Sequence, residues 1–98
     1  MKKLQIESVL ADQAKKMGKV LDAEQFDLLN VQLRAGEEIP AHNVNNTALV
    51  IVRNGEVLFN VEGEDVTLTN EDVLLFEPLE MHSLKAITNV DLVIVKLK

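Results

Sequence analysis

The chain has 98 residues, 47 % of them hydrophobic and 27 % charged, with ten Lys and Arg against sixteen Asp and Glu for a formal charge of −6. One core of this size buries roughly 60 to 70 % of the unfolded surface, and scattered, outnumbered bases offer no stripe to neutralise phosphates, which argues against nucleic acid as a partner. Cysteine is absent, excluding disulfides and thiol chemistry. Gln5, Glu7, Ser8 and Asp12 interrupt any apolar run after Met1-Lys2-Lys3, and no segment approaches membrane-spanning length, so a cytoplasmic protein without membrane contact is expected.

In chain order, Val9, Leu10, Ala14 and Met17 fall at helical spacing. Ser8 is placed to cap, Lys15 and Lys16 sit near the negative end, and Gly18 is placed to stop the helix. This predicts a short helix over 8–17, within an N-terminal arm of residues 1–18 that covers one end of the domain. From Val20 the period becomes strand-like, with turn signals every eight to twelve residues, the spacing of sandwiches and barrels. Leu29, Val31 and Leu33 alternate with Asn30, Gln32 and Arg34, predicting a half-buried strand that Gly36 to Pro40 breaks.

Ala48 to Arg53 and Glu56 to Val61 flank Asn54-Gly55, whose tolerance of positive φ at both central positions predicts a type I′ hairpin. Glu62-Gly63-Glu64 and Asn70-Glu71-Asp72 read as turns around strands at Val66–Thr69 and Val73–Phe76. Glu77-Pro78 ends the latter. Two last strands, Met81–Ile87 and Leu92–Leu97, surround a turn at Thr88 to Asp91. No linker, repeat or composition shift divides the chain, so residues 1–98 form one all-β domain.

Several strands are apolar on both faces. Ala48, Val50 and Val52 point one way and Leu49 and Ile51 the other, whereas a lone barrel has only one inside. The N-terminal segment, another sheet or a second copy of the chain would each cover the other face, and a second copy, making a homodimer, is the expected one.

The histidines, His42 and His82, are the only two in the chain. Gly36-Glu37-Glu38-Ile39-Pro40-Ala41-His42, with Gly55 after the next strand, resembles the first motif of the cupin family: a glycine, five residues, an H-x-H pair, a glutamate and a second glycine. The stretch from Glu71 to Ala86, in which Pro78 precedes His82, resembles the second motif. The resemblance spans roughly Gly18 to Lys98 and implies a double-stranded β-helix barrel of the jelly-roll kind, preceded here by the short N-terminal helix. It also implies that His42 and His82 face each other across one pocket.

The departures are specific. The second histidine of the pair falls on Val44 and the glutamate on Ala48, and no acid lies between Glu38 and Glu56. Leu79-Glu80-Met81 replaces the usual glycine between proline and histidine, and the spacing there is one residue short. Two imidazoles fall short of the two histidines and a carboxylate of an iron oxygenase, or the three protein ligands of catalytic zinc. The resemblance therefore implies a pocket lined by His42, Val44, Ala48, Val50, Phe76, His82 and Leu84 that binds a small organic molecule. No tightly bound cofactor is expected, although a divalent nickel, zinc or iron ion held weakly by His42 and His82 fits the imidazoles. The competing reading is a weakly metal-dependent dioxygenase, isomerase or decarboxylase using those two residues; the blandest is a barrel kept for oligomerisation. Glu77 and Glu80, flanking Pro78, read as solvated surface or as a rim acid and base.

Overall fold

A computed structural model describes residues 1–98. It contains nine strands: β1 (Lys15–Asp22), β2 (Phe26–Leu33), β3 (Glu38–His42), β4 (Ala48–Asn54), β5 (Val57–Val61), β6 (Glu64–Leu68), β7 (Val73–Phe76), β8 (His82–Ala86) and β9 (Val90–Leu97). One sheet runs β1-β2-β9-β4-β7 and the other β3-β8-β5-β6. The antiparallel pairs are nested: β2 with β9, β3 with β8, β4 with β7, β5 with β6. The chain is thus a hairpin ribbon, its closed end between β5 and β6, wound so that successive pairs fall in alternate sheets. That winding is the double-stranded β-helix.

The core lies between the sheets and is mainly aliphatic. Val31, Leu33, Val50, Val57 and Leu92 are fully buried, and Phe59 and Phe76 fill the remaining space. Each such side chain contributes about 1.5 to 3 kcal/mol by leaving water. No helix is long and apolar enough to cross a membrane.

The predicted N-terminal helix does not form. Asp12 N–H and Gln13 N–H both donate to the Val9 carbonyl in a single turn, after which the chain enters β1 at Lys15, with Gly18 inside the strand. A ten-residue segment is too short to hold a helix unaided, and side chains on and beside the five-stranded sheet take its backbone instead. Gln32 accepts from Val9 N–H at 2.9 Å and donates to the Glu7 carbonyl at 2.9 Å, Arg34 donates to the Leu10 carbonyl, and Arg53 to that of Ile6. The same contacts correct the reading of Asn30 and Gln32 as solvent-facing. Both are buried beneath the arm, and Asn30 is satisfied by Asp91, the Leu92 carbonyl and Gln32. Buried polar groups so paired avoid the desolvation penalty of unmade bonds.

Asn54-Gly55 does not close a hairpin either, because β4 and β5 belong to different sheets. Gly55 adopts φ 90° at a corner where a Cβ would meet the Asn89 carbonyl oxygen at 2.1 Å. The glycine is required by this close approach to the β8–β9 connection. The two-residue hairpin is at Glu62-Gly63, where φ is 51° and 83° and Val61 pairs with Glu64. Asn60 holds it, its side chain accepting from Gly63 N–H and donating to Asp65. The expected break at Gly36 to Pro40 is also shorter than predicted. Glu38, Ile39 and Pro40 enter β3, an edge strand whose register shifts between Ile39 and His42, so Pro40 removes no ladder bond. Val90 and Asp91, read as turn, pair with Leu33 and Gln32.

Replacing Gly55 by Ala is expected to destabilise the fold by about 2 kcal/mol or more, through both positive φ and the carbonyl clash. Gly63→Ala, with φ 83° and nothing within 4 Å of its Cβ, is expected to cost about 1 kcal/mol. Urea unfolding midpoints of the two variants check this ordering.

Candidate functional site

Residues directly opposite in an antiparallel ladder project from the same face. One such row crosses the four-stranded sheet as Glu64, Val61, His82 and His42. A second crosses the other sheet as Phe76, Ala48, Lys96, Asp27 and Asp22. The rows face one another at one end of the barrel, since Phe76 stacks on His82 with centroids 4.2 Å apart and planes 16° apart, and packs against Phe59 at 5.6 Å. This end is the candidate site. His82 is 7 % exposed, whereas His42, on the edge strand, is open to solvent.

The two imidazole rings lie 4.3 Å apart, centroid to centroid, at 61°. Each Nδ1 is 3.0 Å from the carbonyl oxygen two residues before it, that of Pro40 for His42 and of Glu80 for His82. A carbonyl only accepts, so in the neutral ring Nδ1 carries the hydrogen and Nε2 keeps its lone pair. The β3 register shift positions the first carbonyl. A pinned loop positions the second: Glu80 accepts from Glu77 N–H, Glu62 accepts from Met81 N–H at 2.5 Å, and Leu79, at φ 68°, donates to the Val44 carbonyl. Burial holds the His82 imidazole below its ordinary pKa of 6.5, with His42 adding to the effect, while the Glu80 carbonyl and carboxylate oppose it.

The donors present do not fit the three-ligand metal centre that the fold implies. No group of three His, Cys, Asp or Glu residues is placed to hold an ion. Ladder neighbours of the histidines include Val61, the stacked ring is Phe76, and Val44 lies half-buried in the β3–β4 loop. Of the residues expected to line a pocket, His42, His82, Phe76 and Ala48 meet in the mouth layer. Val50 and Leu84 lie one layer below, and with Ala48 and Phe76 they are core residues at most 4 % exposed. Of three surface cavities of about 410, 330 and 340 Å³, only the second touches an expected pocket residue, Leu84, beside Ile39 and Leu58; the last is lined by Val61, Glu62, Glu64, Val66, Leu74 and Glu80.

Asp27, Lys96 and Glu64 are mouth residues that sequence reasoning missed. Alternation would have found them, because Asp27 precedes inward Leu29, Val31 and Leu33, Lys96 follows Leu92 and Ile94, and Glu64 precedes Val66 and Leu68. Asp27 is 5 % exposed and sits 3.5 Å from Lys19 and 3.4 Å from Lys98. Asp22 joins them through Lys98, whose ammonium holds the Asp22 carboxyl below its usual range and is itself raised by Asp22. The pairs of Asp22 are exposed and stabilise little; with those of buried Asp27 they tie Lys98 to the β1–β2 turn.

The family model of the cupin domain matches residues 29–97. The chain belongs to the cupin family. Among solved structures, it is similar to an RmlC-like cupin from Desulfovibrio desulfuricans, with 22 % identity, a TM-score of 0.87 and coverage of 99 % of this chain and 96 % of that one. An RmlC-like cupin with a double-stranded β-helix fold from Methanocaldococcus jannaschii gives 17 %, 0.84, 99 % and 90 % for the same quantities. A salicylate 1,2-dioxygenase from Pseudoaminobacter salicylatoxidans, in complex with gentisate, gives 25 % identity and a TM-score of 0.72 over 81 % of this chain and 21 % of that one. No curated protein sequence matches. Family and fold are thus established, whereas function varies among the similar structures.

The lowered pKa of His82 has a signed consequence for this cupin. Below about pH 6.5 the unfolded chain binds a proton that the folded one refuses, so stability present above that pH is lost as pH falls toward the folded value. Urea unfolding from neutral pH to about pH 5 is expected to show this loss, and His82→Gln is expected to flatten the slope in that window. The lowered carboxylate pKa of Asp22 acts only below 3.8.

Proposed function

We propose that this cupin binds a small organic molecule at the barrel mouth, with His42 and His82 as its polar anchors and no resident metal. The observation that carries this is two imidazoles 4.3 Å apart, each with its Nδ1 on a backbone carbonyl, and no group of three metal-ligating residues beside them. Two imidazoles, each with its Nδ1 tied to a backbone carbonyl, form an acceptor pair for hydroxyl or N–H donors, above an apolar floor of Phe76 and Ala48. Such a combination of apolar lining and a few convergent polar groups is what small-molecule recognition needs.

The second reading is an enzyme of the dioxygenase, isomerase or decarboxylase type with a weakly held nickel, zinc or iron ion. One observation favours it: an imidazole whose Nδ1–H is anchored on a carbonyl is oriented as metal-ligating histidines are. Elemental analysis of protein purified without a histidine tag separates the two. Far less than one metal per chain is expected. Stoichiometric metal that disappears in His42→Ala would overturn the preferred reading.

The mouth belongs to a barrel that we propose is dimeric. Leu49, Ile51, Val73, Leu75, Val93 and Val95 share the outer face of the β4, β7 and β9 ladder, with Val73 62 % and Leu75 51 % exposed. A continuous apolar patch ending on an edge strand suits a second copy of the same chain. Light scattering after size exclusion is expected to give about twice the 10.9 kDa chain mass and to give the single-chain mass for Leu75→Glu. A monomeric parent protein at micromolar concentration would remove the proposal.

A further inference from the structure

We infer that the open seam between β6 and β7 is a second binding site, distinct from the histidine pair, for a small organic cation: an amine with a short apolar body. β6 and β7 are the outer strands of their respective sheets, and the sheets part there. The cavity in the gap, about 340 Å³, is floored by Val61, Val66 and Leu74 and rimmed by Glu62, Glu64 and Glu80. Its volume lies at the low end of the roughly 300 to 1,000 Å³ of small-molecule pockets. The three floor residues are only partly buried, although they pack on the core, so an apolar body seated there removes water from surface that the fold leaves wet.

Charge selects the occupant. No lysine or arginine forms an ion pair with any of the three carboxylates, since the cations that do pair are Lys19, Arg53, Lys85 and Lys98, on Asp22, Asp27, Asp91 and Glu38. Glu62 and Glu80 are each fixed by a backbone N–H, from Met81 and Glu77 respectively. Glu64 makes no hydrogen bond from its side chain and stays free to meet a ligand. Three negative groups around an apolar floor, on a chain of net charge −6, attract an organic cation and repel a carboxylate of the same size. The inference goes beyond the histidine reading and does not require it. Val61 is nevertheless the ladder neighbour of His82, and Glu80 supplies the carbonyl that orients that ring, so the two sites share a wall.

Methyl NMR of the full chain, titrated separately with n-hexylammonium, hexanoate and 1-hexanol, tests the inference. Hexylammonium is expected to shift the methyls of Val61, Val66 and Leu74 saturably, with affinity that weakens as salt is added. Hexanoate is expected to produce no saturable shift. Glu64→Gln, an exposed change outside the core, is expected to weaken hexylammonium about two- to fivefold, the range of an exposed ion pair. His42→Ala is expected to leave its affinity unchanged. Hexanol binding as tightly as hexylammonium, no saturable shift at these methyls, an unaltered affinity in Glu64→Gln, or loss of binding in His42→Ala would each overturn the inference. None of these results bears on metal content, which tests the histidine site separately.

Discussion

His42 stands opposite His82 because β3 pairs with β8, and that pairing is one turn of a ribbon whose every antiparallel pair follows from the one before. In such a ladder a slip of one residue moves a whole strand's side chains to the other face. The alternation that sends Leu84 and Ala86 into the core therefore also sends His82 into the mouth. Packing fixes the register and the register fixes the site. Strand β3 has less core to hold it, and its irregularity between Ile39 and His42 lets the second imidazole reach the same face as the first.

The buried side of this arrangement was legible in the residues, and the connections were less so. Alternation sends Val50, Phe76 and Leu84 to the core side of their strands, where they are buried, although Val50 and Leu84 were expected to line a pocket. Asn54-Gly55 misled because a dipeptide that tolerates positive φ reports backbone geometry, not strand pairing. The same freedom serves a corner between sheets at Gly55 and a true hairpin at Gly63. Ser8 to Met17 misled because its helical spacing is local, while the groups that decide its conformation, Gln32, Arg34 and Arg53, lie more than twenty residues away. Asn30 and Gln32 look solvated in a two-colour pattern for the same reason. Their burial depends on an arm that only the tertiary structure places over them.

The chemistry of the mouth follows from the burial of one imidazole and the exposure of the other. Desolvation of His82 outweighs the Glu80 carbonyl and carboxylate that oppose it. Burial thereby lowers its pKa and keeps it neutral. A neutral, carbonyl-anchored imidazole stacked on Phe76 accepts a hydrogen bond without presenting charge. On the proposed reading, this favours uncharged hydroxyl and amide donors over anions.

The acidic seam between β6 and β7 completes the electrostatic contrast. At the far side of the mouth, Asp22 and Asp27 are neutralised by Lys19 and Lys98, and Lys96 stands beside them in the same inward row without a carboxylate partner. On the near side Glu62, Glu64 and Glu80 have no basic partner. The barrel end is therefore charge-balanced around Asp22 and Asp27 and acidic around Glu62, Glu64 and Glu80. A dianion would meet repulsion at the cavity where the barrel opens.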